Sequence, residues 1–233
     1  MPTSSYAERR AQLQTYFDST AVEAWKRLTS DAPVSGIRAT VRAGRDAMRA
    51  TLLGWLPEDL TDVRILDAGC GTGALAVAAA QRGAHVTAID LSPNLVELAR
   101  ERIGRDTGTG HIDFRVGDLF DPALGRFDHV VGMDSLIHYK AADVVRVLAG
   151  LAERTDRSML FTFAPRSAFL IAFLAVGRLA PRGDRSPAIA PVTEKTLRRI
   201  IAADPALTGW QSARTQRIQG GFYTSQALEL ARG

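Results

Sequence analysis

Residues 65–74, ILDAGCGTGA, constrain the fold more than any other stretch of the chain. A short apolar run leads into Asp67 and then into three glycines at alternate positions. Glycines let a backbone turn tightly and approach a ligand without a Cβ in the way, and a helix that follows directs its first N–H groups towards that ligand. The stretch therefore predicts the first strand, loop and helix of a nucleotide-binding α/β domain.

A regular alternation of strands and helices continues along the chain. Strands are predicted at 63–66, 85–89, 112–116, 129–132 and 158–163, and helices at 74–81, 93–100 and 141–153. Such alternation is typical of a parallel sheet with helices on both faces. After a helix at about 194–202, strands at about 212–218 and 222–229 predict an antiparallel edge hairpin. The predicted fold is a doubly wound, mostly parallel, seven-stranded α/β sheet.

Residues 1–56 are predicted to form a helical extension before this core, which occupies 57–233. Its last helix is expected to end before Pro57, because proline disfavours helix in the residue that precedes it. We expect the extension to order over bound ligands and to exclude water. Residues of about 166–191 are first apolar and then rich in Arg and Pro, and they are predicted to be an insertion in the core.

The composition is that of an ordinary soluble globular protein, with 46% hydrophobic and 23% charged residues. The N-terminus is polar, and no apolar run reaches the roughly 18 residues that a membrane span needs. One cysteine excludes a disulfide within the chain. These features predict a cytoplasmic protein, and the net charge of +4 suggests an anionic ligand or surface.

The glycine loop by itself fits two classes of enzyme. With Ala74 it matches G-x-G-x-x-G/A, the fingerprint of hydride transfer. With Asp67 and Gly73 it matches D-x-G-x-G-x-G, which methyl-transfer enzymes use. Asp90, at the end of the second predicted strand, suits ribose hydroxyls in either class.

Two downstream motifs favour methyl transfer. Gly117-Asp118-Leu119 follows the third predicted strand, and Phe127-Asp128 begins the fourth. In this order the motifs of residues 63–164 resemble the class I S-adenosylmethionine (SAM) methyltransferases. The resemblance implies a Rossmann-like core and SAM as methyl donor.

The same resemblance assigns parts of the cofactor to particular residues. Gly69 and Gly71 would hold the methionine end and Asp90 the ribose. The adenine would contact Leu91, Asp118 and Leu119. Asp67 would hold the loop or reach the cofactor amine through water. The predicted cofactor-binding residues are Arg42, Asp67, Gly69, Cys70, Gly71, Asp90, Leu91, Asp118, Leu119 and Met133.

Segments outside the cofactor loop indicate a substrate. Residues 16–46, MDSLIHY at 133–139, FTFAPR at 161–166 and GGFYTSQALELA at 220–231 resemble the magnesium-protoporphyrin IX O-methyltransferases of bacteriochlorophyll synthesis. The resemblance implies methylation of the ring-C propionate of magnesium protoporphyrin IX, which gives a monomethyl ester and S-adenosylhomocysteine (SAH).

The resemblance also implies catalytic residues. A propionate with a pKa of about 4.3 is already ionised at neutral pH, so the site must orient it and remove its water. His138, in the IHY segment, is expected to hydrogen-bond or neutralise this carboxylate. Where the family has a tyrosine after the W-x-R-I segment, this chain has Thr29, which is the second catalytic candidate; Tyr16 or a water molecule is the alternative, or the role is dispensable.

The predicted substrate-binding residues are Tyr16, Trp25, Arg38, Arg45 and Tyr139. Arg38, Arg42 and Arg45 recur at i, i+4 and i+7, so they share one helix face. That face is either solvated or binds carboxylates, for which arginine is well suited. The sequence gives no candidate ligand for the porphyrin magnesium.

Three interpretations of residues 168–176 stay open. This apolar stretch is a buried helix, a wall for a flat macrocycle, or a peripheral membrane contact with Arg178, Arg182 and Arg185 at its rim. The family resemblance adds the porphyrin-binding subunit of magnesium chelatase as a partner.

Two other functions remain as alternatives. One is methylation of a quinone precursor or another small acid, and the other is a SAM and porphyrin carrier without chemistry. Nucleic-acid methylation is disfavoured, because no Asn-Pro-Pro-aromatic motif follows the fourth strand and the basic residues are scattered.

Overall fold

A seven-stranded sheet runs through the computed structural model, which describes residues 4–20, 36–103, 107–166 and 188–233. Its strands are β1 (Arg64–Ala68), β2 (His85–Asp90), β3 (His111–Val116), β4 (Phe127–Gly132), β5 (Thr155–Phe163), β6 (Trp210–Gly220) and β7 (Tyr223–Arg232). The order is β3-β2-β1-β4-β5-β7-β6. Strands β1 to β5 are parallel, whereas β7 is antiparallel to β5 and β6. The predicted mostly parallel sheet with a C-terminal hairpin is confirmed.

Helices cover both faces of this sheet. The helices of the described residues are α1 (Ser4–Thr15), α2 (Gly36–Gly54), α3 (Ala74–Ala80), α4 (Pro93–Arg102), α5 (Ala141–Ala152) and α6 (Glu194–Ala203). Successive side chains of a strand point to opposite faces. Accordingly, Ile65 packs with Leu52 of α2 and Ala76 of α3, whereas Leu66 belongs to the core that contains Leu148 of α5.

The start of α4 follows directly from its sequence. Ser92 is the N-cap, and its Oγ accepts a hydrogen bond from the Leu95 N–H at 3.2 Å. Pro93 occupies the first turn, where its missing N–H has no intrahelical partner to lose. This cap fixes the chain immediately after Asp90, at the carboxyl end of β2.

The C-terminal hairpin holds α2 against the sheet. A Cβ added at Gly44 would lie 2.4 Å from the ring of Tyr223, so helix backbone and tyrosine ring are in close contact. Met48 and Leu52 of α2 are fully buried. Although α2 precedes the predicted boundary at residue 57, it contributes to the core; that boundary stays a prediction.

Some predictions fall on residues outside the described ranges. They include the helix expected around Trp25, the catalytic candidate Thr29 and the apolar stretch 168–176. Among the described residues, no helix is both long enough and apolar enough to cross a membrane.

Candidate active site

A cavity of about 350 Å³ lies at the carboxyl ends of β1, β2 and β4. Open parallel sheets bind ligands at this edge, where the loops that follow the strands converge. Many of the residues predicted to bind ligands line it: Arg42, Arg45, Asp67, Gly69, Cys70, Gly71, Asp90, Leu91, Leu119, Met133, His138 and Tyr139. The structure therefore brings the predicted cofactor loop and the predicted catalytic histidine to one site.

The glycine loop has a backbone that only glycine adopts readily. Gly69, Gly71 and Gly73 have φ angles of 85°, 53° and 79°. A Cβ at Gly69 would lie 2.4 Å from Cβ of Ser135, whereas a Cβ at Gly71 would meet nothing within 4 Å. The loop therefore packs on the segment after β4 at Gly69, while Gly71 lines the cavity and leaves room for a ligand.

Asp90 holds this loop in place. Its Oδ2 accepts the Gly71 N–H at 2.8 Å, and its Oδ1 accepts the Ser92 N–H at 3.0 Å. Burial raises the pKa of Asp90, and the amides of Ser92 and Gly71 oppose this rise. A carboxylate has about four lone-pair positions, so each oxygen can still accept a ribose hydroxyl.

Asp67 supplies a buried acceptor at the end of β1. The residue is only 2% exposed, and its Oδ2 has no hydrogen-bond partner among the described residues. Ser135 Oγ, in the wall of the same cavity, is also buried without such a partner. A buried polar atom without a partner is costly, so both atoms fit a ligand that donates hydrogen bonds. The ammonium of the methionine end of SAM is such a donor.

The ionisation of Asp67 gives a pH prediction. Burial and then the charge of Asp90 raise the pKa of Asp67 to about 7. Since its carboxylate attracts an ammonium only when ionised, SAH affinity should rise about tenfold between about pH 6 and pH 8. The stability of the ligand-free protein should change in the opposite direction. Because the pKa of Asp67 is higher in the folded state than its unfolded value of about 3.9, the free energy of unfolding should fall as pH rises from about 4 to 7.

Calorimetric titration of SAH across this range tests the prediction, with thermal unfolding of the free protein measured in parallel. Asp67→Asn should flatten both pH dependences. A slope in SAH affinity that survives in the variant would assign the titration to another group.

The N-terminal segment closes one side of the cavity. Tyr6 and Leu13 of α1, with Phe17 of the π-helical turn Tyr16–Thr20, belong to its lining. At the far end, Asp18 Oδ1 accepts a hydrogen bond from Ser92 Oγ at 2.6 Å. The segment is thus attached to the cap that follows Asp90, and its role as a cover over bound ligands stays a prediction.

Asp118 makes contacts that the sequence did not indicate. Its Oδ1 accepts hydrogen bonds from the Tyr6 hydroxyl at 3.0 Å and the Phe120 N–H at 2.9 Å, and its Oδ2 pairs with Arg10 at 2.5 Å. It is not among the described residues that line the cavity, although Leu119 is. In this structure Asp118 attaches α1 to the core, and its predicted contact with adenine stays a prediction.

His138 and Tyr139 follow β4 on a short 3₁₀ turn, Leu136–His138. His138 is 8% exposed, and its ring lies edge-on to Phe17 with 6.3 Å between centroids. The Tyr139 ring stacks on Tyr6 at 4.9 Å, and burial raises the pKa of both phenols. Both tyrosines are therefore neutral, and they form an aromatic wall beside the histidine.

The basic face of α2 is only partly in the cavity. Arg42 and Arg45 line it, whereas Arg38 is exposed near the start of the helix and is not among the described lining residues. Arg45 Nη1 lies 2.9 Å from Asp134 Oδ2. Tyr16 packs edge-on against Phe17, at 5.3 Å between centroids, and is likewise absent from the described lining.

Several residues of the site were missed from the sequence. Asp134 and Ser135 follow β4 after Met133, and an acid and a hydroxyl close to a strand end are a signal that could have found them. Tyr6 contacts the site from the N-terminal helix and Tyr223 from the hairpin, where no local motif marks them.

Comparisons with known proteins identify the family to which this chain is similar. Residues 65–156 match the family model of a methyltransferase domain, and residues 132–232 match that of the magnesium-protoporphyrin IX methyltransferase C-terminus. The magnesium-protoporphyrin O-methyltransferase of Rhodobacter capsulatus is 49% identical over 227 residues, which cover 97% of this chain and 98% of that protein.

Two further similarities define the extent of the match. The crystal structure of magnesium protoporphyrin IX methyltransferase from Synechocystis PCC 6803 with bound SAH has a TM-score of 0.80 and 29% identity, and covers 96% of this chain and 100% of that one. A ubiquinone biosynthesis O-methyltransferase of Xanthomonas oryzae pv. oryzae is 34% identical over 178 residues, which cover 73% of this chain and 71% of that protein. The match to the porphyrin enzymes extends over nearly the whole chain, and the chain belongs to the magnesium-protoporphyrin O-methyltransferase family of SAM-dependent methyltransferases.

Proposed function

We propose that the protein transfers the methyl group of SAM to the ring-C propionate of magnesium protoporphyrin IX, in bacteriochlorophyll synthesis. The observation that carries the proposal is one cavity that joins an intact cofactor loop to His138 and to the arginines of α2, in a chain of this family. The products are the monomethyl ester and SAH.

The cofactor end of the cavity is held by groups of complementary chemistry. Asp90 accepts the ribose hydroxyls, and Asp67 Oδ2 with Ser135 Oγ accepts the ammonium. Arg42 binds the methionine carboxylate from α2. When bound, SAM supplies an electrophilic methyl group on a sulfonium that leaves as a neutral thioether.

The substrate end has to orient a carboxylate rather than deprotonate it. One propionate oxygen forms a bond to the methyl carbon while the bond from that carbon to sulfur breaks, and no proton moves because the propionate is already ionised. His138 hydrogen-bonds the carboxylate, and the Tyr6 and Tyr139 wall keeps water away from it. Most of the rate enhancement then comes from alignment in a dry site.

Other predicted contacts remain part of the proposal. Arg38, Arg45 and Tyr16 bind the porphyrin in this proposal. Trp25 and Thr29 lie outside the described residues; Trp25 is proposed to bind the porphyrin, and Thr29 to assist catalysis. Residues 168–176 also lie outside the described residues, and we propose that they form a wall for the porphyrin or contact a membrane surface. The porphyrin-binding subunit of magnesium chelatase is the proposed protein partner.

The ester itself is the test of this function. Purified protein incubated with SAM and magnesium protoporphyrin IX should give a monomethyl ester, identified by mass spectrometry, together with SAH. Metal-free protoporphyrin and a phenolic quinone precursor serve as competing substrates, because the second candidate function is quinone-precursor methylation. The similarity to the ubiquinone biosynthesis enzyme favours this second candidate. However, that alignment covers 73% of this chain and leaves out about a quarter of it. Binding of SAM and porphyrin without ester would contradict the proposal and support a carrier.

A further inference from the structure

Asp134 occupies an unusual position beside the cavity. It follows β4 after Met133, and its φ of 56° lies in the left-handed region, which few residues other than glycine adopt. Its side chain is only 8% exposed. A strained residue of this kind persists when its surroundings determine its conformation, and such residues concentrate at functional sites.

Four side chains from three elements converge on its carboxylate. Oδ1 accepts hydrogen bonds from Ser225 Oγ at 2.9 Å and Thr162 Oγ1 at 3.2 Å, and Oδ2 accepts from the Tyr223 hydroxyl and Arg45 Nη1, both at 2.9 Å. The Asp134 N–H also donates to Thr162 Oγ1 at 2.7 Å. Burial and the charge of Asp134 raise the pKa of Tyr223, which therefore stays a donor.

Arg45 is fixed from two directions by this arrangement. Its guanidinium pairs with Asp134, and the residue before it, Gly44, has the Tyr223 ring against its backbone. Arg45 lines the cavity and its side chain is 21% exposed. A guanidinium is a rigid planar fork, so the pair of Arg45 Nη1 with Asp134 also fixes the direction of the other N–H groups.

We propose that Asp134 is a positioning residue, which aims Arg45 at a carboxylate of a ligand in the cavity. This inference rests on the proposed function, in which Arg45 binds the porphyrin, so a propionate is the expected target. The methionine carboxylate of SAM, which that proposal assigns to Arg42, is the other carboxylate in the cavity. Arginine binds carboxylates with directed, charge-assisted hydrogen bonds, so its orientation determines how tightly it binds. A carboxylate that only stabilised the fold would leave ligand affinity unchanged.

The Asp134→Asn variant tests the inference. Asparagine has nearly the same shape and tolerates a positive φ, but it is uncharged and keeps only one oxygen for the four donors. We expect the Kd for SAH or the KM for magnesium protoporphyrin IX to rise about tenfold, with kcat changed less than about threefold, because a charge-assisted contact is lost and alignment of the reacting groups is retained.

Two further variants separate positioning from stability. Arg45→Gln should lower the same ligand affinity that Asp134→Asn lowers. The double variant should be little worse than either single variant, because both act on one contact, that between Arg45 and the ligand carboxylate. Glu229→Gln is the matched control. Glu229 is also buried and pairs with Arg214 at 2.6 Å, but it is not among the described cavity residues, so its loss should lower the unfolding temperature and leave ligand affinity intact.

Binding and kinetic measurements show which ligand supplies the carboxylate that Arg45 binds. If Arg45 binds the methionine end, Asp134→Asn weakens SAH but not 5′-methylthioadenosine, which lacks the carboxylate. If Arg45 binds a propionate, SAH affinity is retained and the KM for the porphyrin rises. Unchanged SAH affinity and porphyrin KM in both Asp134→Asn and Arg45→Gln would overturn the inference. SAH binding is measured without turnover, so it tests the inference independently of the reaction. Failure of the proposed methylation would instead appear as the absence of ester with the wild-type protein.

Discussion

His138→Ala is expected to lower turnover well over tenfold while the Kd for SAH changes less than about twofold. The imidazole lies in the wall of the cavity, next to Tyr139 and Phe17, and we expect it to hold the propionate oxygen in line with the methyl carbon. Positioning of a nucleophile can contribute several kcal/mol to a barrier, and each 1.36 kcal/mol corresponds to about a tenfold change in rate. Steady-state ester formation at saturating SAM measures the effect on turnover.

Two companion variants make this result specific. His138→Gln keeps a hydrogen-bond donor of similar length and should retain more activity than alanine does. His85→Ala removes an exposed histidine at the start of β2 and should have no effect on turnover. Turnover that survives in His138→Ala would show that the histidine is not catalytic. Loss of SAH binding would show that it supports the cofactor site instead.

The sheet could be predicted from the sequence because its signals are local. Strands β1, β2 and β4 are short, largely apolar runs that end at, or directly before, an acid or a glycine. Each strand can therefore be assigned from its own residues. The cofactor loop was predictable for the same reason. Glycines at 69, 71 and 73 have positive φ angles, which agree with the tight turn predicted from the glycine spacing.

The partners of the charged residues could not be predicted in this way. Helical spacing placed Arg45 on one helix face with Arg38 and Arg42, but it could not show the partner of Arg45, because Asp134 is 89 residues away in sequence and on another element. Asp118 follows β3 as expected, yet the Tyr6 and Arg10 side chains that bind it come from a helix more than 100 residues earlier. Such pairs depend on how the N-terminal helices pack on the sheet, and no pattern within a single element encodes that packing.

Asp90→Ala is expected to raise the Kd for SAH about a hundredfold, the largest effect on cofactor binding that we expect of a single side chain. A hydrogen bond to a charged group contributes about 1.5–3 kcal/mol, and two ribose hydroxyls would lose theirs, while 1.4 kcal/mol is a factor of ten in affinity. The loop is affected as well, because the Gly71 N–H donates to Asp90 Oδ2.

An asparagine at position 90 should not restore SAH affinity, although asparagine often replaces aspartate with little loss. Each oxygen of Asp90 accepts one backbone N–H, from Gly71 and from Ser92, so an amide must turn its NH₂ group towards one of these donors. Asp90→Asn should therefore bind SAH nearly as weakly as Asp90→Ala. Asp113→Asn is the control, since Asp113 on β3 pairs with Arg115 and is not among the described cavity residues. Calorimetric titration of SAH ranks the three variants. Near wild-type affinity in Asp90→Asn would show that binding of the ribose does not depend on the carboxylate of Asp90.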